Sequence, residues 1–252
     1  MIKRKTYSFQ GGDILDIEEY HDGRYGAPGL KRMKRRKATK EDMLRVNKWN
    51  KEKRCRQRLL QYFKETDLFL TWTYSIEERP PDMQAALKDF RRSIAKARRA
   101  YRKRGYELFW IRNIEQGTKG AWHIHLIVNE IGDSASIVQK AWDHGGTWIT
   151  EIKRSKFYDE DFMKLACYMT KDKNTTEQKK DGTEGKPRIK ESSYNTSKNM
   201  PLPDPHEDKL RRWKKEVKPK KGYYIARIWE GINPKTGYKY RRCTMIRLNR
   251  RI

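Results

Sequence analysis

Long apolar runs are the first thing this 252-residue chain lacks. No window approaches the ~18–20 apolar residues of a spanning helix. No apolar stretch follows the opening Met-Ile-Lys-Arg-Lys. Neither a membrane span nor a secretory signal is therefore expected. Cysteine is scarce: Cys55, Cys167 and Cys243 are odd in number and far apart. That excludes a disulfide framework and a zinc finger, and it fits a reducing, cytoplasmic setting. Cys167 reads as a small buried residue. Acid is also short, with 33 Asp and Glu against 60 Lys and Arg. No G-x-x-x-x-G-K-[ST] motif occurs: the Gly182 to Lys186 stretch has the wrong spacing and is followed by Pro187. A P-loop motor is thereby excluded from these residues.

What is present is positive charge, a net +27. Self-repulsion makes such an excess costly to a compact state, so a polyanionic partner is the economical explanation. Nucleic acid leads, because Lys and Arg that meet phosphates release condensed counterions. A membrane surface is the rival polyanion, and the missing apolar run disfavours it. Aromatic residues reach 12 %, with 8 Trp and 14 Tyr. Disordered basic tails are poor in aromatics, so much of the chain should fold. Aromatics among basic residues also suit base stacking on single strands, although for any single Trp a core position is the simpler reading.

The pattern along the chain predicts four segments. Residues 1–65 read as a basic N-terminal arm and helix. Gly11, Gly12, Gly23, Gly26, Pro28 and Gly29 punctuate a weakly structured 1–40, where 31–40 holds seven Lys/Arg and no acid. A helix follows from Glu41 to about Phe63. Residues 66–172 read as the main domain. It has a strand at 67–75 and a helix from the N-cap Asp82 to about Lys103. Strands follow at 106–115 and 121–129, then a helix at about 134–142 and a strand at 147–152. A last helix covers 159–172, with Phe162, Leu165 and Met169 inward. This order is the split βαβ pattern of ferredoxin-like domains. The expected fold class is α+β: a ferredoxin-like antiparallel sheet with helices on one face. Residues 173–208 read as a loop or linker, and 209–252 as a basic extension ending in a β-hairpin across Asn233-Pro234-Lys235-Thr236-Gly237.

The chemistry concentrates in Trp122-His123-Ile124-His125-Leu126-Ile127-Val128. Alternate side chains of a strand share a face. His123 and His125 therefore point one way, as two imidazoles suited to a divalent cation. If the hairpin closes around 116–120, Glu115 pairs across from Ala121 and sits diagonally beside His123 on that face. Two imidazoles and a carboxylate leave coordination positions open for substrate. On the helix at 159–172, Lys164, Tyr168 and Lys171 fall on one polar face. The lysines should favour the phenolate of Tyr168, which can attack a phosphodiester. His144, before Gly145 and Gly146, reads as a turn histidine.

His-hydrophobic-His on a strand, followed by a helix bearing Tyr-x-x-Lys, resembles the HUH endonuclease superfamily. The closer likeness is to its single-tyrosine rolling-circle replication initiators of phage and plasmid type. The segment Phe69-Leu70-Thr71-Trp72-Thr73-Tyr74 resembles the family's first motif, near bound DNA. Tyr194-Asn195-Thr196-Ser197-Lys198-Asn199-Met200-Pro201 resembles its Ser-containing, Pro-ended segment. The resemblance covers roughly residues 66–202. It implies a metal site of His123, His125 and Glu115 holding Mg²⁺ or Mn²⁺, and Tyr168 as nucleophile with Lys171 near the scissile phosphate. It places Thr71, Thr73, Lys164 and Ser197 at the DNA. It implies nicking of single-stranded origin DNA with a 5′-phosphotyrosine link, and, without a P-loop, a helicase supplied by the host cell of a bacterial element. Two alternatives stay open: a related transposase or relaxase-type nickase with the same residues, and a non-catalytic basic nucleic-acid-binding protein whose histidines are structural.

Overall fold

The computed structural model of the protein describes residues 1–23, 28–117, 120–171 and 194–249. In chain order the elements are β1 (Ile2–Phe9), β2 (Ile14–His21), α1 (Lys40–Tyr62), β3 (Leu68–Thr73), α2 (Met83–Lys103), β4 (Trp110–Gln116), β5 (Trp122–Val128), α3 (Ser134–Ala141), β6 (Thr147–Glu151), α4 (Met163–Thr170), β7 (Tyr194–Thr196), β8 (His206–Leu210), β9 (Tyr223–Ile232) and β10 (Lys239–Arg247). They form two units: residues 1–50 with 202–252, and residues 51–201, with α1 running across the division. The expected main domain, 66–172, lies inside the second unit. Among the described residues no helix is long and apolar enough to cross a membrane.

The second unit is built on a sheet of order β6-β3-β5-β4-β7, antiparallel at every pairing. Its first four strands, with α2 between β3 and β4 and α3 between β5 and β6, follow the ferredoxin-like order expected. β7 adds a fifth strand outside β4. Alternation decides the faces. Leu68, Leu70 and Trp72 of β3, Ile114 of β4, and Trp122, Ile124, Leu126 and Val128 of β5 join one buried cluster with α2 and α3. α2 contributes Met83, Leu87, Phe90, Ile94 and Tyr101 at helical spacing. The Asp82 side chain caps that helix, accepting from the Ala85 N–H at 2.8 Å.

The opposite face of the sheet is where α4 lies, so helices occupy one face only for the two crossover helices α2 and α3. The second half of α1 belongs to this unit too. Its Leu59 and Leu60, with Phe63 just beyond, are buried, and Arg56 Nε donates to the Asp161 carbonyl at 2.6 Å. α4 is shorter than the expected 159–172. Phe162 adopts a left-handed φ of 54°, which breaks the helix before Met163, although Phe162, Leu165 and Met169 are buried as expected. The strand expected at 106–115 starts only at Trp110. Cys167 is half-buried rather than buried.

The first unit corrects the expectation of a weakly structured 1–40. β1 and β2 form a hairpin, turned at Gly11 and Gly12, whose φ values of +64° and +93° suit glycine. The sheet order is β8-β1-β2-β10-β9, so both ends of the sequence share one sheet and the C-terminal hairpin is two of its strands. Part of the segment expected as a loop at 173–208 is strand as well: β7 and the start of β8 fall there, while 172–193 lie outside the described residues. Charge hid these strands. Lys5 pairs across from Glu18 and Arg4 from Glu19, and opposite charges stabilise such cross-strand pairs. Glu19 accepts from Arg4 Nη2 at 2.6 Å and from Arg241.

Ile124 sits at the centre of the second unit's core, fully buried. Ile124→Ala should lower the unfolding free energy by ~2–5 kcal/mol. Tyr106→Ala, at an exposed position, should change it by less than ~0.5 kcal/mol. Urea denaturation of the two variants checks this contrast.

Candidate nuclease site

β5 alternates, so the face away from the core carries His123 and His125. Register adds the neighbours. Glu115 of β4 stands directly across from His123, and Asn113 across from His125. On the other side β3 places Thr71 across from His125 and Thr73 across from His123. The expected pairing of Glu115 with Ala121 is thus off by two residues. Gly117 takes that place, its N–H donating to the Ala121 carbonyl at 2.8 Å. A shift of two preserves side-chain parity, so Glu115 keeps the expected face.

α4 brings Tyr168 over these strands. Its hydroxyl lies 2.9 Å from His125 Nε2, and Glu115 Oε1 lies 2.5 Å from the same nitrogen. Thr71 Oγ1 lies 3.0 Å from His125 Nδ1 and orients the ring. Lys171 caps the end of α4. Its Nζ lies 2.9 Å from Glu115 Oε2 and 3.9 Å from the centre of the Tyr168 ring. The Asn113 amide donates to the Lys171 carbonyl at 3.4 Å, linking β4 to this cap. Phe157 stacks on Tyr168 with ring centres 3.7 Å apart and 20° between planes. Phe69 meets Tyr168 edge-on at 5.9 Å.

The structure therefore assembles Tyr168, His125, Glu115, Lys171 and Thr71. The other expected residues stand apart from this contact group. The ring of His123 lies against Gly117, where an added Cβ would come 3.1 Å from its Cε1. Thr73 Oγ1 donates to the Gly146 carbonyl at 3.2 Å. Lys164 is exposed one turn before Tyr168, and among the described residues no hydrogen bond or ion pair ties its side chain to the group. Ser197 is buried, and its hydroxyl accepts from the Trp110 N–H at 3.3 Å. Trp110 is five residues, about 17 Å of strand, from Glu115. His144 meets Glu78 at 3.0 Å in the turn before β6. Sequence reasoning missed Asn113, Phe69 and Phe157. Strand parity pointed to the first two, which lie two residues from Glu115 and Thr71. Phe157 sits in an irregular segment and had no such signal.

The electrostatics follow from burial and from the Glu115 pairings. Burial alone would push the Glu115 carboxyl up. The hydrogen bonds from His125 and Lys171 outweigh it and hold the group below the usual carboxylate value. Burial pushes His123 down, helped by neighbouring His125, which keeps a ring lone pair free for a ligand. Burial and then the Glu115 charge push the Tyr168 phenol up. That corrects the expectation of a lysine-favoured phenolate, because Lys171 is engaged with Glu115 and Lys164 stays in solvent.

Among the described residues no group of three His, Cys, Asp or Glu side chains converges closely enough to hold a metal. The donor chemistry nevertheless fits a divalent cation. Two imidazoles and a carboxylate share one sheet face, and His125 Nε2, Glu115 Oε1 and the Tyr168 oxygen already meet. A single ring nitrogen cannot serve both oxygens fully as donor or acceptor. His123 is the ligand that must turn to complete the set.

Residues 67–173 match the family model of the replication-associated protein, ORF2 and gene-two protein type. The match runs from just before β3 to just beyond α4 and contains every residue of the contact group. It supports a replication-associated role of the rolling-circle initiator type, with origin DNA as the partner. Searches of the curated proteins and of the solved structures returned no match to the chain.

The lowered value of Glu115 has a consequence for stability. The unfolded chain binds a proton at Glu115 at higher pH than the folded one does. The contribution is complete above the ordinary carboxylate value of 4.5 and is lost as pH falls through the lower folded value. Urea midpoints should therefore drop on acidification below about pH 5, and Glu115→Gln should flatten that drop. An unaltered slope in the variant would rule Glu115 out as its source.

Proposed function

We propose that this protein nicks single-stranded DNA at a replication origin and stays joined to the 5′ phosphate through Tyr168. The observation that carries this reading is the placement of the Tyr168 hydroxyl 2.9 Å from His125 Nε2, beside the Glu115–Lys171 pair, inside the region matched by a replication family. In the reaction the Tyr168 oxygen attacks phosphorus, an O–P bond forms, and the bond from phosphorus to the 3′ oxygen breaks. The phenol loses its proton and the departing 3′ oxygen gains one, so the step is proton-neutral. His125 Nε2 is the atom placed to hold that proton in the arrangement described. The freed 3′ hydroxyl is then a primer end for synthesis.

The remaining residues position and neutralise. Phe157 and the Lys171 cation bracket the Tyr168 ring, which limits the approach of its oxygen to a narrow range. Lys171 also supplies positive charge where the phosphate develops negative charge. Mg²⁺ or Mn²⁺ held by His123, His125 and Glu115 would polarise the phosphate and favour loss of the phenolic proton. Strand separation falls to a host helicase, since these residues contain no P-loop.

Incubation with origin-like single-stranded DNA and Mn²⁺ should give a covalent adduct stable on a denaturing gel. Tyr168→Phe should bind the strand and form none, and chelation of the metal should abolish the adduct. An adduct from Tyr168→Phe would dismiss the nucleophile. Absence of any adduct from the wild type would favour a binding protein without chemistry. In single-turnover kinetics Lys171→Ala should slow adduct formation by roughly 10²–10³-fold, with strand affinity changed far less.

A further inference from the structure

Trp148 lies on β6, the edge strand of the second unit's sheet, and is 56 % exposed. The other seven tryptophans are buried or half-buried. Its neighbour Ile149 packs on the core face, so Trp148 points to the other face, the one that carries the nuclease site. Register places it directly across from Thr71, the residue that meets His125. Its ring stands edge-on to Phe69 at 6.2 Å, and Phe69 touches both His125 and Tyr168. One intervening ring thus separates an exposed indole from the reactive hydroxyl.

The indole is also firmly mounted. Before β6, Gly145 has φ +154°, and a Cβ there would come 2.4 Å from the Thr73 carbonyl oxygen. A second Cβ at Gly146 would come 3.1 Å from Thr73 Oγ1. The two glycines let β6 start tightly against the end of β3, with the Thr73 N–H donating to the Gly146 carbonyl at 2.9 Å. That closeness sets the register two residues before Trp148. A large apolar ring on an exposed edge strand invites unwanted association, and a rigid support for it suits recognition.

We infer that Trp148 is a stacking platform for one nucleobase of the single strand, next to the phosphate at Tyr168. The inference rests on the nicking reading for its substrate and adds a subsite to it. Every base offers a π-face, so the platform takes a base of any identity. The exposed Lys156, whose Nζ lies 5.3 Å over the Phe157 ring, supplies positive charge for the backbone on the same side.

Fluorescence anisotropy with a labelled oligothymidylate and with an abasic strand of equal length separates base contacts from phosphate contacts. Wild type should prefer oligothymidylate. Trp148→Ala should weaken that binding roughly 10-fold, the size of one lost base–aromatic stack, and leave the abasic strand unchanged. Trp148→Phe should restore most of the loss, and the urea midpoints of both variants should match wild type. Equal losses on the two strands, or no loss on either, would overturn the platform, as would a wild type indifferent to bases. The adduct assay on the wild type reads the nuclease separately: an adduct formed alongside any of those outcomes leaves nicking standing and removes only the platform.

Discussion

The pairing of β5 with β3 and β4 is the constraint on which the rest of the second unit depends. One seven-residue strand serves two purposes because its side chains alternate. Trp122, Ile124, Leu126 and Val128 join the buried core under α2 and α3. His123 and His125 face the other way. The antiparallel registers then deliver Glu115 and Asn113 from one neighbour, and Thr71 and Thr73 from the other. A slip of one residue would exchange core and site together. The packing energy of the apolar face thereby holds the polar face in register.

The polar cluster is held from above by α4, and its charges are interlocked. Glu115 pairs with both His125 and Lys171, and Lys171 in turn covers the Tyr168 ring. A change at any of the four alters the other three, as buried polar networks do. The phenol keeps its proton in this arrangement, since burial and the Glu115 carboxylate both oppose its loss. Its release then belongs to the moment when a phosphate and a cation enter, which guards a reactive oxygen until substrate arrives. The first unit solves a different problem. It holds 29 Lys and Arg against 12 Asp and Glu, and several of those carboxylates are tied to arginines: Glu18 to Arg242, Glu19 to Arg4 and Arg241, Asp42 to Arg36 and Arg45. Cross-strand ion pairs do there part of what apolar alternation does in the second unit.

The sequence by itself determined the elements whose periodicity is strong. The α2 stripe with its Asp82 cap, the apolar alternation of β3 and β5, and the strand order of a ferredoxin-like sheet all follow from side-chain spacing. The shared face of His123, His125 and Glu115 follows from parity and survived a two-residue error in the hairpin register. Tertiary structure decided everything that depends on distant segments meeting. The strands β1, β2 and β8 carry charges that balance only across the sheet, so nothing local distinguished them from a solvated arm or a loop. Lys171 reaches Glu115, and Lys164 does not, because the helix ends at Thr170 and its cap turns toward β4. Phe157 finds Tyr168 from an irregular segment with no period to announce it. Ser197 sits in a motif that reads as DNA-binding, yet its hydroxyl serves the edge of the sheet. A single chain direction sets which side a residue faces. Only the packing of one element on another sets what it meets there.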